Sequence, residues 1–223
     1  MLYRAKANLN LYDSSELTAL ATQAAADRFI RLIAPESITN GPLKAIVVED
    51  DYPGWLAPQD ELLLAPTEAE YHAPMVALAT INDRLPAIIA FTEAAMAVPN
   101  TYLWGGTVAP NYDCSGLIQA AFRSQGIQLP RDAYQQEAFV QAVTLKNLQR
   151  GDLVFFGPPE KAKHVGLYLG DNCYIHSSGQ EIGNNGIAIN ALTLEGSDVD
   201  RNYFSQWRGG GRVVSSYQSR HCV

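Results

Sequence analysis

Cys114 stands in the run Tyr112-Asp113-Cys114-Ser115-Gly116, and an amphipathic segment begins at once behind it. Leu117, Ile118, Ala121 and Phe122 recur at helical spacing, which places Cys114 in a first helical turn with Asp113 as its N-cap. A thiol there faces the positive end of the helix, which favours thiolate over thiol. The orphan N–H groups beside it could bind an oxyanion. Upstream, Trp104-Gly105-Gly106 allows a tight turn close to the sulfur. A cysteine in a soluble protein is most often a small buried apolar residue, so the histidines decide the reading. With an imidazole as base and a further polar group to orient it, Cys114 could perform nucleophilic acyl chemistry.

His164 and His176 answer that need, because they lie on two strand-like runs, 164–169 and 173–177, joined by Gly170-Asp171-Asn172. Treating those three residues as the loop pairs Leu169 with Cys173, Leu167 with Ile175 and Val165 with Ser177. Val165, Leu167, Leu169, Cys173 and Ile175 then share an apolar face, and His164, Gly166, Tyr168, Tyr174 and His176 share the other. A two-residue loop would pair Val165 with His176 and Leu167 with Tyr174 and mix the faces. Asn172 is the residue expected to be left-handed. His164, at the strand start, is the candidate base and His176 the candidate orienting group. Cys173, on the core face, is expected to be inert, and His72 and His221 are expected to be surface residues. The cysteines and histidines lack zinc-ligand spacing, so no metal and no cofactor are expected.

The elements that must hold these groups are legible in outline. Asp83 onward reads as a helix with Leu85, Ile88, Ile89, Thr92 and Met96 on one face and Pro86 in its first turn, ending at Val98-Pro99-Asn100. Gln125-Gly126 stops the Cys114 helix, and Leu129-Pro130-Arg131-Asp132 opens another through about residue 141. Arg150-Gly151-Asp152 turns into the strand Leu153–Phe156. Before residue 80 the pattern is of short strands: 9–13, 28–33 (closed by Ala34-Pro35) and 43–48, with turns at Asn40-Gly41-Pro42 and at Tyr52-Pro53-Gly54. Residues 17–26 are ambiguous. Many short strands in so few residues suggest a small barrel. The expected organisation is a barrel over 1–80 and an α+β domain over 81–223.

Composition narrows the partners. The chain has 223 residues, 47% of them hydrophobic and 17% charged, as in an ordinary globular protein. A net charge of −7 with no basic cluster argues against nucleic-acid binding. No run is apolar enough for a leader or a membrane span, so no membrane association and a cytoplasmic location are expected. Three cysteines (Cys114, Cys173, Cys222) suit a reducing compartment better than a disulfide framework. No feature calls for an obligatory protein partner.

Taken together, Tyr102-Leu103-Trp104-Gly105-Gly106, Asp113-Cys114-Ser115-Gly116-Leu117, Leu129-Pro130-Arg131, Arg150 to Phe156, His164-Val165-Gly166-Leu167-Tyr168 and Tyr174-Ile175-His176 resemble the NlpC family of papain-like bacterial cell-wall cysteine peptidases. The resemblance covers about 83–214. It implies Cys114 as nucleophile, His164 as base, His176 as orienting residue and Tyr102 at the border of the oxyanion hole. It also implies a helix packed on an antiparallel sheet. The N-terminal part resembles a bacterial SH3-type domain, as in γ-D-glutamyl-L-diamino acid endopeptidases. Such enzymes cut between D-Glu and the diamino acid (diaminopimelate) of peptidoglycan stem peptides. By that resemblance Tyr52, Asp113 and Ser115 would bind the free amine of L-Ala with an acidic barrel residue. The candidates for that residue are Asp50, Asp51, Asp60 and Glu61, of which Asp60 is carried forward. The implied partner is L-Ala-γ-D-Glu-diamino acid, and the implied role is wall recycling. The alternatives are a hydrolase of intact wall with a wall-binding SH3 module, and another thiol acyl-transfer enzyme on the same scaffold.

Overall fold

The computed structural model describes residues 1–33, 41–181 and 183–220. Its N-terminal part is a seven-stranded antiparallel sheet. The strands are β1 (Leu2–Ala5), β2 (Leu9–Tyr12), β3 (Leu20–Ala24), β4 (Phe29–Leu32), β5 (Leu43–Val47), β6 (Tyr52–Leu56) and β7 (Leu64–Pro66), in the order β3-β2-β6-β5-β4-β1-β7. The sheet wraps a core that includes Leu9, Leu11, Ala24, Ile30, Ala45, Val47 and Leu56. One open reading is resolved here and one expectation fails. The ambiguous residues 17–26 supply β3, and Tyr52 to Leu56 form a strand rather than a turn. Pro53 is tolerated because β6 meets β2 only at Trp55, so at Pro53 the strand has a neighbour on one side alone, through Ile46. The expectations at 34–40, His221 and Cys222 lie outside the described residues.

After residue 77 the chain enters α1 (Leu78–Met96), then β8 (Thr107–Val108), β9 (Asn111–Tyr112), α2 (Cys114–Ser124), α3 (Ala133–Phe139), β10 (Gln141–Val143), β11 (Leu153–Phe156), β12 (His164–Gly170), β13 (Cys173–Ser178), β14 (Gly186–Ala191), α4 (Asp198–Phe204) and β15 (Trp207–Arg212). The six-stranded antiparallel sheet runs β10-β15-β11-β12-β13-β14. Helix α1 starts earlier than expected, so Pro86 lies in its interior rather than its first turn. The buried face still includes Ile88, Ile89 and Thr92, now joined by Ile81.

One face of this sheet (Leu153, Phe155, Val165, Leu167, Ile175) packs under α1 and α2, against Leu117, Ile118, Ala121 and Phe122. The opposite face (Val154, Phe156, Tyr168, Tyr174) is covered by Leu192 and by Tyr203 of α4. Arg212 clamps the turn before β11 by donating to both oxygens of Asp152, at 2.7 and 2.8 Å. Among the described residues no helix is long and apolar enough to cross a membrane.

The two parts share a polar seam. Gln23 Oε1 accepts from the N–H groups of Thr107 (3.1 Å) and Val108 (3.3 Å), and its carbonyl accepts from the Thr107 hydroxyl (2.8 Å). Gln119 donates to Asp50 (2.8 Å), which also pairs with Arg28. Asp51 accepts from the Tyr217 hydroxyl, the Ser219 hydroxyl and the Arg220 N–H.

Candidate active site

Asp113 caps α2 as the sequence suggests, its Oδ1 accepting from the Gly116 N–H at 2.6 Å. Gly116 has no substitute, because a Cβ there would lie 2.0 Å from the Gly106 carbonyl oxygen. That close approach brings the Trp104-Gly105-Gly106 turn against the first turn of the helix, with the Asp113 N–H donating to Gly106 O (3.0 Å). The Cys114 side chain is 6% exposed. Its sulfur accepts from the N–H groups of Val165 and Ser115. Burial, and then the Asp113 charge, push the thiol up to about 12, against the pull of those two N–H groups and of Arg131. The expected thiolate is therefore not the resting form. The helix end does favour the anion, but a sulfur this enclosed loses more hydration than two N–H groups return.

The histidine hairpin keeps the expected faces with a different turn. Leu167 pairs with Ile175 and Tyr168 with Tyr174, but Gly170, not Leu169, pairs with Cys173. Leu169 is bulged, and Asp171 and Asn172 are both left-handed, with φ of 50° and 59°. The loop thus has two residues and a bulge rather than three residues, and the bulge restores the parity that separates the faces. Cys173, at the hairpin end, is half-buried rather than in the core.

Both imidazoles lie on the α4 side of the sheet, His164 stacked on Tyr203 (centroids 4.2 Å, 27°) and His176 edge-on to it (5.0 Å, 88°). His164 Nε2 and His176 Nδ1 are 2.6 Å apart. His176 Nε2 is 2.9 Å from Asn190 Oδ1. Room for the His176 ring comes from Gly166, where a Cβ would lie 2.6 Å from Tyr174 Cδ2 and 3.3 Å from His176 Cβ. Burial, then the neighbouring His176, hold His164 well below the usual histidine range, and burial lowers His176 to about 4. At neutral pH both rings are neutral.

Cys114, Tyr102, Tyr52, Asp113 and Ser115 all line one cavity of about 510 Å³. Its N-terminal wall is Asp13, Leu20, Ala21 and Tyr52, and its far rim carries Lys161 and Lys163. Asp60 does not line it. That residue lies in the short helical segment Pro58–Leu63, and the N-terminal carboxylate at the cavity is Asp13. Asp50 and Asp51 are engaged in the seam described above.

Asp113 and Ser115 line the cavity and are already hydrogen-bonded within the protein. The Asp113 carboxylate accepts from Gly105 N–H (2.9 Å), Gly116 N–H, the Ser115 hydroxyl (3.2 Å) and both terminal nitrogens of Arg131 (3.2 and 2.6 Å). Beside them on the cavity wall, Tyr52 and Asp132 hydrogen-bond to each other through their side chains.

Asn190, Asp200, Tyr203, Asp13 and Asp132 were not singled out from sequence. The alternation Ile187-Ala188-Ile189-Asn190 would have found β14, and Ser197-Asp198-Val199-Asp200 would have found the start of α4. Among the described residues no group of three or more metal-binding side chains converges.

Residues 99–208 match the model of the NlpC/P60 family. Over 78 residues the chain is 42% identical to the Escherichia coli K12 protein named murein DD-endopeptidase MepS/murein LD-carboxypeptidase, covering 34% of this chain and 42% of that one. Over 96 residues it is 38% identical to the γ-D-glutamyl-L-lysine dipeptidyl-peptidase of Bacillus subtilis 168, covering 42% of this chain and 31% of that one. These matches span less than half the length of either curated relative. An NlpC/P60 family protein from Bacillus cereus superposes with a TM-score of 0.52 at 24% identity, over 96% of this chain and 63% of that one. The peptidoglycan hydrolase RipB from Mycobacterium tuberculosis gives 0.50 at 23% identity, over 64% and 70%. At such identities the superpositions speak for the fold alone. The matched residues, 99–208, hold Cys114, His164 and His176.

Proposed function

We propose that this protein is a cysteine endopeptidase that hydrolyses the γ-D-glutamyl-L-diamino acid (diaminopimelate) bond of peptidoglycan stem peptides bearing a free N-terminal L-Ala. The observation that carries the reading is the shared cavity, with Cys114 on its floor and both parts of the chain in its walls. His164 takes the thiol proton as sulfur attacks the γ-carbonyl. The Cys114 N–H, which has no acceptor among the described residues, and Tyr102 face the oxyanion. The protonated His164 then donates to the leaving amine, and water, deprotonated by the same ring, releases the acyl group. The named Bacillus relative acts on a γ-D-glutamyl-L-lysine bond, which supports the choice of bond.

Tyr52 and Asp13 of the N-terminal wall, with Asp132 against Tyr52, make this side of the cavity acidic, and an ammonium suits it. In this proposal the N-terminal sheet is an SH3-like barrel covering roughly 1–80, and it reads the peptide's amino end. In intact wall, L-Ala is acylated and carries no ammonium, so the enzyme works on released peptides in cytoplasmic recycling. Losing one charge-assisted hydrogen bond costs about 1.5–3 kcal/mol, or about one to two orders of magnitude in kcat/KM. L-Ala-γ-D-Glu-diaminopimelate and its N-acetylated form, digested separately and followed by mass spectrometry, should therefore differ by that factor. Equal rates would reject the amine-reading wall and favour a hydrolase of intact peptidoglycan.

A further inference from the structure

His164 can act as base only if its Nδ1, the nitrogen turned away from His176, carries a lone pair. Which nitrogen holds the proton is decided three residues away. Asp200 only accepts: its Oδ1 receives Asn190 Nδ2 (2.7 Å) and Ala191 N–H (2.8 Å), and its Oδ2 receives the Ser197 N–H and hydroxyl (both 2.7 Å). Burial opposes its charge, but these hydrogen bonds outweigh burial and hold Asp200 below its usual value. Asn190 must therefore turn its NH₂ to Asp200 and its Oδ1 to His176. The Asn184 side-chain NH₂ donates to the same Oδ1 at 2.8 Å, which agrees with that orientation. An oxygen facing His176 Nε2 requires a proton there, so neutral His176 has a bare Nδ1. That bare nitrogen, 2.6 Å from His164 Nε2, requires the His164 proton on Nε2. Nδ1 of His164 is left bare.

We propose that Asn190, held by Asp200, is a positioning residue that fixes the tautomers of His176 and His164 and so keeps the base nitrogen open toward Cys114. The proposal rests on the cysteine–histidine reading above, and it adds two residues that set the direction of proton transfer. Without Asn190 Oδ1, the buried His176 Nε2–H has no acceptor. The pair then gains by moving the His176 proton to Nδ1, which drives the His164 proton onto Nδ1. In that arrangement the base nitrogen is already occupied.

The test is ¹⁵N NMR of the histidine-labelled full chain at neutral pH, joined to steady-state kinetics. In the wild type, both rings should show a protonated, pyrrole-type Nε2 and a bare, pyridine-type Nδ1. Asn190→Ala should mix or invert the tautomers and lower kcat about ten- to a hundredfold, since a buried donor loses its acceptor, with KM little changed. Asp200→Ala, which frees the Asn190 amide to turn, should act in the same direction. Wild-type His164 protonated at Nδ1 would overturn the proposal, and so would variants that lose activity with unchanged tautomers. If neither variant folds, the wild-type tautomers decide. The NMR readout needs no substrate, so an uncut test peptide would count against the proposed bond and not against the relay.

Discussion

Arg131 is 1% exposed, yet it carries a full charge between the two parts of the chain. Its Nη1 and Nη2 donate to Asp113, Nη1 also reaches Ser115 Oγ (3.0 Å), and Nε donates to Thr22 Oγ1 of β3 (2.8 Å). Burial opposes the charge most, but Asp113, through charge and hydrogen bonds, together with Asp132 and Tyr52 outweighs it, so the guanidinium is held above its usual value. Arg131→Met keeps the volume and removes every one of these donors. Asp113 is 6% exposed and would keep three donors but no cation. Breaking one side of a buried pair costs about 3–5 kcal/mol. For a chain of this size that corresponds to a fall in Tm of about 6–20 °C. Asp113→Asn in the Arg131→Met background removes the stranded charge while Oδ1 still caps α2. The double variant should therefore recover part of the loss, with a coupling energy of about 1–3 kcal/mol. Urea unfolding followed by far-UV circular dichroism measures all four proteins. A single-variant loss below about 1 kcal/mol, or strict additivity in the cycle, would refute the buried-pair reasoning.

Two further outcomes follow from the buried sulfur and imidazoles. In a Cys173→Ser, Cys222→Ser background, Cys114 alkylation by iodoacetamide should rise about tenfold per pH unit from about pH 6 to about pH 9, because a thiol near 12 supplies so little thiolate; a flat rate across that range would show a preformed thiolate–imidazolium pair instead. His176, lowered from 6.5 to about 4 by burial, binds its proton more readily in the unfolded chain, so its contribution to stability is complete above about pH 6.5 and fades as pH falls toward 4. That loss amounts to about 3 kcal/mol, and His176→Asn should flatten the pH dependence of the urea midpoint over this window; an equally steep profile in the variant would assign the acid sensitivity elsewhere.

The parts of the site legible in sequence are those whose partners are close along the chain. Asp113 and Cys114 are adjacent, and one helical stripe orients both. The hairpin faces could be read because strand parity is strict, even though the turn itself was misjudged. Asp171 and Asn172 both accept left-handed φ, and the bulged Leu169 absorbs the odd residue. At Tyr52 the Pro53-Gly54 pair looked like a turn because local preference says so. A one-sided strand made Pro53 harmless, which only the tertiary pairing reveals. In α1, Pro86 marks a helix start by local preference, but a long helix buried through Ile81, Ile88 and Ile89 carries the proline inside. Asp60 and Asp13 are both ordinary acidic residues in the sequence, and only the tertiary fold, in which Leu20 of β3 lies against Gly105, shows Asp13 at the cavity.

In the proposed reaction, a neutral thiol and a neutral imidazole change what the rest of the site must do. With burial and Asp113 raising Cys114 and burial lowering His164, charge separation at rest is doubly opposed. The proton must then move as the sulfur attacks, when the new negative charge passes to the carbonyl oxygen and away from the sulfur. In the proposed reaction the groups that act at that moment are the Cys114 N–H and Tyr102 at the oxyanion, and the Asn190 oxygen, which accepts from His176 and so prepares His164. Asp113, which raises the thiol, is tied to Arg131, which lowers it, and Arg131 is anchored to Thr22 of the N-terminal sheet. The electrostatic balance at the nucleophile therefore depends on how the N-terminal sheet is seated. An N-terminal part that only delivered the domain to its substrate would have no need to hold the guanidinium that faces the catalytic cap.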